Sequence, residues 1–549
     1  MRFLSTALLF LLAAPFAAAQ SPDAPPKYWV FFADRPVADA ATPEPSRVSA
    51  RAADRRALRG SIDRPQLDAP VPESYQRALQ ALGIEPIHAS RWFNAVSARL
   101  SPDEVRRVEA LPFVRRVQPV AKTQEEAPTP LAVPLAPAAP APALGGDYGA
   151  SAFQLGFINA DRVLEAGYDG TGVRVAFLDT RFDFDHPVFA ELVADGRLIA
   201  TEDFTEAQGT QSSFHGLSVS SVAVGNAPGT LVAPGHGAEV LAATTEFAPT
   251  ETHQEEDNLV AGLEWAEANG ADVVNISLGY STFDPGEGDF TYADMDGNTT
   301  LITRAADLAV GLGVAVVTSA GNEGNRSWRY ITAPADADSV ITVGAANADA
   351  SRAGFSSFGP TADGRIKPDV SAFGVSAFLA RENDSYGFAS GTSFSAPTVA
   401  GVVAQLLQAQ PALTPIEVRE ALRQTASQAD APDNALGWGI VDAEAAVLRV
   451  LNTAGEPEAP AADRKARLYP SVLQGATSVT AEWSQTRAGR VQLDVFDVLG
   501  RRHALLLDRS FGAGPHRLQL PVPALAAGAY VYRLVSPDGR STGRLTAVR

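Results

Sequence analysis

The chain has 549 residues, a formal net charge of −19 and no cysteine. Its length suits about three or four domains. Without thiols, disulfides and thiolate metal sites are excluded, and so acidic a balance argues against a chain that wraps nucleic acid.

In chain order, residues 1–19 carry one positive charge, a short apolar run and Ala17-Ala18-Ala19, the pattern of a secretory leader cut after Ala19. The run is too short to span a membrane. No later apolar stretch reaches about 18 residues without a charge or a turn, so no transmembrane helix is expected. Residues 20–121 read as a small α+β unit. Tyr28-Trp29-Val30-Phe31-Phe32 is a strand, Ser74 to Leu82 a helix, and Ala95 to Leu100 alternates like a strand. Ser101-Pro102-Asp103-Glu104 opens a second helix with a cap, a proline and early acids, and Phe113 to Val117 is a last strand. The segment 122–144 is predicted as an extended, cleavable linker, almost only Pro, Ala, Leu and Val from Ala127 onward.

Residues 145–453 alternate strands and helices, which predicts an α/β fold: a three-layer, doubly wound, mostly parallel sheet. Strands are expected near 173–178, 239–243, 272–277, 314–318 and 339–343, and helices near 217–225, 256–269, 300–312, 394–409, 415–425 and 442–451. A second Pro/Ala/Glu linker covers 454–464. Residues 465–549 change to short alternating runs such as Val491 to Phe496 and Tyr530 to Leu534, separated by Gly-rich turns, the pattern of a small β-sandwich.

Chemistry concentrates in four segments of the α/β region. Gly391-Thr392-Ser393-Phe394-Ser395-Ala396-Pro397 puts Ser393 between a small-residue turn and an apolar helix, whose free N–H groups can hold developing negative charge. A serine nucleophile needs a base, and the base needs an orienting carboxylate. Asp179 ends an apolar strand, where functional groups of parallel sheets gather, although turns and caps also use aspartate there. His215 stands at a helix start. His236 is a second candidate, in a Pro-Gly loop with no helix behind it. Asn322, in Ser319-Ala320-Gly321-Asn322, could donate to an oxyanion, or could simply serve an Asn-Gly-type turn.

Together, in the order Asp, His, Asn, Ser, these segments resemble the subtilisin-like serine proteases. The resemblance runs through residues 145–450. It includes Asn275-Ile276-Ser277-Leu278-Gly279, Gly359 to Asp369 and Gly437-Trp438-Gly439-Ile440-Val441-Asp442. It implies a broad serine endopeptidase acting on proteins or peptides, with Asp179, His215 and Ser393 as triad and Asn322 as oxyanion donor. Ser277, Leu278 and Gly279 would form an edge strand that holds substrate. It further implies that the 20–121 unit is an inhibitory propeptide and that no cofactor is required, with room for structural calcium. Two departures bear on the rim of the site: Arg181 stands where the family usually has glycine after Asp-Thr, and Gly216-Leu217-Ser218-Val219 follows the histidine. Arg181 leaves a second reading open, a catalytically silent binding protein on a protease scaffold.

Three further segments carry expectations. Asp294-Met295-Asp296-Gly297-Asn298 resembles the start of a calcium loop but lacks the distal acid, and also suits a helix-capping turn. The acidic run Glu251 to Asp257 reads as a solvated helix start. The tail resembles the C-terminal sorting domain of the type IX secretion system through Leu468-Tyr469-Pro470-Ser471, Val495 to Arg501 and Leu525 to Tyr532, with Ser471 in place of the usual asparagine. That resemblance implies a secretion-machinery partner and a secreted or cell-surface location.

Overall fold

The structure, a computed structural model, describes residues 25–35, 48–62, 65–120, 147–205, 213–246, 256–280 and 290–455. In the tail it describes 467–469, 472–474, 478–485, 487–497, 502–523, 525, 528–537 and 539–548. The predicted leader, the linker at 122–144 and residues 456–464 of the second linker lie outside the described residues. The chain divides into two compact units, Met1–Asn452 and Thr453–Arg549.

The first unit begins with β1 (Lys27–Phe32), α1 (Ala50–Arg59), α2 (Glu73–Gln80), β2 (Ala89–Ser90), β3 (Ala95–Arg99), α3 (Pro102–Glu109) and β4 (Val114–Pro119). Its strands form an antiparallel sheet in the order β2-β3-β1-β4. Helix α3 starts where the sequence predicts. Ser101 Oγ accepts from the Glu104 N–H, and Glu104 Oε2 accepts from the Ser101 N–H at 2.8 Å, with Pro102 in the first turn. Helix α1 has no apolar stripe, so periodicity does not predict it. Its inward face is Arg51, Arg55 and Arg59, spaced i, i+4, i+8, while Leu58 is 52% exposed.

The body of the unit contains α4 (Ala152–Phe157), α5 (Ala160–Glu165), β5 (Arg174–Asp179), α6 (Ala190–Ala194), β6 (Leu198–Asp203) and α7 (His215–Val224). A short ladder of β7 (Asn226–Ala227) and β8 (Leu231–Val232) precedes β9 (Glu239–Thr244), α8 (Glu256–Ala268), β10 (Val273–Ile276), α9 (Leu301–Gly311) and β11 (Ala315–Ser319). Then come β12 (Ile341–Ala346), β13 (Val370–Phe373), the hairpin β14 (Ala377–Arg381) and β15 (Ser385–Ala389), α10 (Thr392–Ala409), α11 (Pro415–Thr425) and α12 (Ala443–Gly455). The main sheet runs β13-β12-β11-β10-β5-β9-β6 with every pair parallel, in keeping with the α/β expectation. Strand β5 shows why helices cover both faces. Val175 and Phe177 pack with Leu217 and Val222 of α7 and Val399 of α10, while Ala176 and Leu178 pack with Leu259 and Leu263 of α8 and Ile302 of α9.

Strand β1 joins the N-terminal sheet to this body. Val30 and Phe32 face a small core with Leu79, Val96 and Val108, whereas Trp29 and Phe31 enter the α8–α9 layer. Burying those two rings is worth about 1.5–3 kcal/mol each, so the N-terminal sheet shares the core of the body.

Two expectations are corrected. The described end of the acidic run is not solvated: Asp257 is fully buried and accepts from Lys27 Nζ at 2.9 and 3.0 Å. Burial alone would raise the Asp257 carboxyl, but Lys27, His88 and hydrogen bonding hold it below the usual carboxylate range. Neighbouring Glu256 accepts from the Leu301 and Ile302 N–H groups at 3.1 and 3.3 Å, satisfying the first donors of α9. Residues 251–255 lie outside the described residues. The second correction concerns 275–279, read as an edge strand: Asn275 and Ile276 belong to β10, the middle strand of the sheet between β11 and β5, and Ser277, Leu278 and Gly279 follow its end.

In the second unit, β16 (Arg467–Tyr469), β18 (Ser478–Gln485) and β21 (Gly514–Pro521) form one sheet. β17 (Val472–Gln474), β23 (Gly539–Val548), β22 (Gly528–Ser536), β19 (Gly489–Asp497) and β20 (Arg502–Phe511) form another. Val479 and Trp483 from the first sheet share a core with Val491, Leu493, Tyr532 and Leu545 from the second.

Candidate active site

The C-terminal ends of β5, β10 and β11 and the starts of α7 and α10 converge on a cavity of about 630 Å³. His215, Ser393, Ser277, Leu278 and Gly279 all line it. Asp179, the last residue of β5, is fully buried behind His215. Its Oδ1 accepts from His215 Nδ1 at 2.7 Å and from the Thr180 N–H at 2.7 Å. The start of α7 is drawn onto β5 by Thr180 Oγ1, which accepts from the Gly216 N–H at 3.2 Å. A Cβ on Gly216 would stand 2.9–3.0 Å from the carbonyl oxygens of Arg181 and Thr180 and from the Phe182 ring, so only glycine lets His215 approach Asp179 this closely.

Ser393 is the second residue of α10 and 9% exposed. Its Oγ donates to the Ser277 carbonyl at 3.3 Å. Pro397, four residues on, has no N–H for the Ser393 carbonyl. That carbonyl instead accepts from Ser277 Oγ at 2.9 Å, which ties the serine turn to the segment leaving β10. Asn322 follows β11, and its Oδ1 accepts from the Thr392 N–H and Thr392 Oγ1, both at 3.0 Å. With the amide oxygen held there, the NH₂ end is directed away from Thr392.

His236 stays in its loop, its Nδ1 donating to the Ala233 carbonyl at 3.0 Å. Among the two histidines weighed from the sequence, His215 is the one that meets Asp179. The Arg181 guanidinium carbon lies 4.5 Å from the centre of the Phe214 ring, and Phe214 lines the cavity. The residue that departs from the family pattern therefore backs the rim and leaves the Asp179–His215 contact intact.

The chain belongs to the subtilase family. Residues 170–439 match the subtilase family model, and residues 27–130 match a Peptidase S8 propeptide domain of Bacteroidota. The chain is 32% identical to Subtilisin DY of Bacillus licheniformis over 293 residues, which is 53% of this chain and 96% of that protein. It is 35% identical to a subtilisin of Bacillus pumilus over 274 residues, 49% of this chain and 89% of the relative. To Subtilisin E of Bacillus subtilis (strain 168) it is 34% identical over 277 residues, 49% of this chain and 64% of the relative. The protein is thus a serine endopeptidase carrying a propeptide domain.

Two parts of this subtilase's site escape a reading of the sequence. The hairpin β14–β15 forms a wall with Leu379, Arg381, Asn383 and Ala389, anchored where Ser218 Oγ donates to the Ala380 carbonyl at 2.8 Å. Asn383 and Asp384 both have positive φ at its tip, so Asn-Asp between two apolar runs is the signal that could have found it. Thr332 is the other. It is fully buried, and its Oγ1 has no hydrogen-bond partner. A Cβ on Gly279 would lie 2.3 Å from that oxygen, and one on Gly321 2.9 Å from it. Thr332 therefore fills the gap between the two backbone segments that form this side of the cavity. No local pattern signals it.

The suspected calcium loop has another role. Asp296 Oδ1 accepts from the N–H groups of Asn298 and Thr299 at 2.8 Å each, and Asp294 Oδ2 accepts from the Thr291 N–H at 2.6 Å. Gly297 N–H is bound by Asp336, whose carboxyl burial pushes up to about 6. These carboxylates serve backbone donors ahead of α9 and do not converge. Among the described residues, no group of three or more His, Asp or Glu side chains is placed to hold a metal ion, and no helix is long and apolar enough to cross a membrane.

Proposed function

We propose that this subtilase cleaves peptide bonds by acyl transfer through Asp179, His215 and Ser393. The observation that carries the reading is the 2.7 Å Asp179–His215 bond beside a cavity lined by both His215 and Ser393. His215 takes the proton of Ser393, which attacks the peptide carbonyl, and then passes that proton to the leaving amine. Water repeats the cycle on the acyl-enzyme. Asp179 holds the Nδ1–H tautomer and stabilises the imidazolium. The Ser393 N–H and the Asn322 amide receive the oxyanion, and Ser277-Leu278-Gly279, beyond the end of β10, runs beside the substrate backbone. The silent-scaffold reading loses its support, because Arg181 is occupied with Phe214. A fluorophosphonate added after propeptide removal should label one residue, Ser393, as read by peptide mass spectrometry. A chain that stays unlabelled sinks the reading.

Asn322→Ala should lower kcat by about 10²–10³ with little change in KM, the scale measured for this kind of donor in subtilisin itself. Steady-state kinetics on a chromogenic peptide would show it.

The propeptide domain acts as an intramolecular inhibitor and folding aid, with domain limits at 20–121, 145–453 and 465–549. The two sheets of the tail and their shared core suit a β-sandwich. With the leader-like residues 1–19, the tail's likeness to sorting domains supports export through a type IX system to the exterior or cell surface.

A further inference from the structure

Helix α1 is built against the ordinary pattern. Its apolar Leu58 faces solvent and its arginines face protein. None of its residues joins the small core of the N-terminal sheet, which draws on Val30, Leu79, Val96 and Val108. Its contacts lie mainly on the body, at the ends of the sheet opposite the cavity. Arg55 donates to the carbonyls of Ala271 at 2.7 Å, Glu267 at 3.1 Å and Leu312 at 3.3 Å, and pairs with the Glu267 carboxylate. Arg59 donates to the Pro411 carbonyl at 2.6 Å and to Asp272 Oδ1 at 2.9 Å. Arg51 donates to Asp272 Oδ2 at 2.6 Å and the Gly172 carbonyl at 2.8 Å.

Four of these acceptor carbonyls have a common origin. Glu267 and Ala271 lie at the C-terminus of α8, Leu312 just past α9, and Pro411 just past α10. Helix C-termini leave carbonyls without partners and carry negative partial charge, so a row of guanidinium groups suits them. Backbone contacts close the seat: the Ser49 N–H donates to the Ala268 carbonyl at 2.8 Å, and the Ser61 N–H to the Gly311 carbonyl at 2.9 Å. A Cβ on Gly311 would stand 3.1 Å from the Ile62 side chain, so the bare last turn of α9 admits Ile62.

We propose that residues 48–62 are a tether, distinct from whatever blocks the cavity, that keeps the propeptide domain on the body after the chain is cut between them. The partner of the surface formed by the ends of α8, α9 and α10 is this arginine helix. Truncating a buried, hydrogen-bonded charge speeds dissociation more than it slows association, so the effect belongs in residence time.

The test uses the full chain carrying Ser393→Ala and a recognition site for an unrelated protease inserted between residues 122 and 144. The cut is then independent of the chain's own catalysis, and failure of the proposed mechanism does not affect the readout. After cutting, native mass spectrometry and size-exclusion chromatography should find the propeptide fragment still bound. Adding Arg55→Ala with Arg59→Ala should shorten its residence at least tenfold. Gly311→Leu, made on the body alone, should do the same by crowding Ile62. Limited proteolysis of the cut complex without these tether changes should spare residues 48–62, a readout that stands even if the variants fail to fold. A fragment that leaves at once, tether variants that hold it as long, or early cleavage within 48–62 would each overturn the proposal.

Discussion

Ser393→Ala is expected to lower kcat by about 10⁶ while leaving KM within a few-fold. The scale is the one measured on subtilisin for loss of its nucleophile, and the geometry gives the reason it should carry over. The alanine removes the one hydroxyl at the start of α10 that shares the cavity with His215. The tie between the Ser393 carbonyl and Ser277 Oγ is a backbone contact and survives the change. So does the Asn322–Thr392 pair that orients the oxyanion amide. Substrate should therefore still bind, and residual hydrolysis should report positioning and the oxyanion donors alone. Steady-state kinetics with active-site titration would check it. A variant retaining more than about a hundredth of the wild-type kcat would mean that another nucleophile does the work.

Asp179→Asn is expected to cost about 10⁴ in kcat, again with KM little changed. Asp179 is fully buried at the end of β5, and its Oδ1 accepts from both His215 Nδ1 and the Thr180 N–H. An asparagine fills the same space and can keep one acceptor. It removes the charge that stabilises the imidazolium, and its NH₂ group favours the wrong tautomer whenever it turns toward the ring. The loss should thus fall on the chemical step and not on folding. The double variant Ser393→Ala/Asp179→Asn should lose no more than Ser393→Ala alone, because residues that act as a unit are not additive. A further drop of about 10⁴ in the double variant would assign Asp179 a separate role.

Much of this was legible locally. Runs of Val, Ala, Leu and Ile mark β5, β9, β11 and β12, and the Ser-Pro-Asp-Glu start of α3 carries its cap in four consecutive residues. Asp179 at a strand end and Ser393 at a helix start could be named because strand and helix boundaries are local events. What was misread depended on remote partners. The acid at Asp257 looked solvated because its cation, Lys27, lies 230 positions away. The segment 275–279 was taken for an edge strand because strand order depends on crossovers that leave no mark in a strand's own residues, and its first two residues lie in the central β10. α1 was missed because its buried face is charged, and periodicity searches for apolar faces.

The sequence by itself determined the alternation of the main apolar strands and helices in residues 145–453, the acidic and thiol-free chemistry, and the four reactive residue types at the ends of their elements, because each of these follows from neighbours within a few positions. Only the tertiary structure decided that Asp179 and His215, 36 residues apart, share a hydrogen bond beside the cavity of Ser393. It also decided that Thr332 packs behind Gly279 and Gly321 of the cavity wall and that an arginine helix seats on three helix ends. Such contacts join segments whose separation in the chain carries no energy of its own, and they exist only once the parallel sheet has brought the strand ends together.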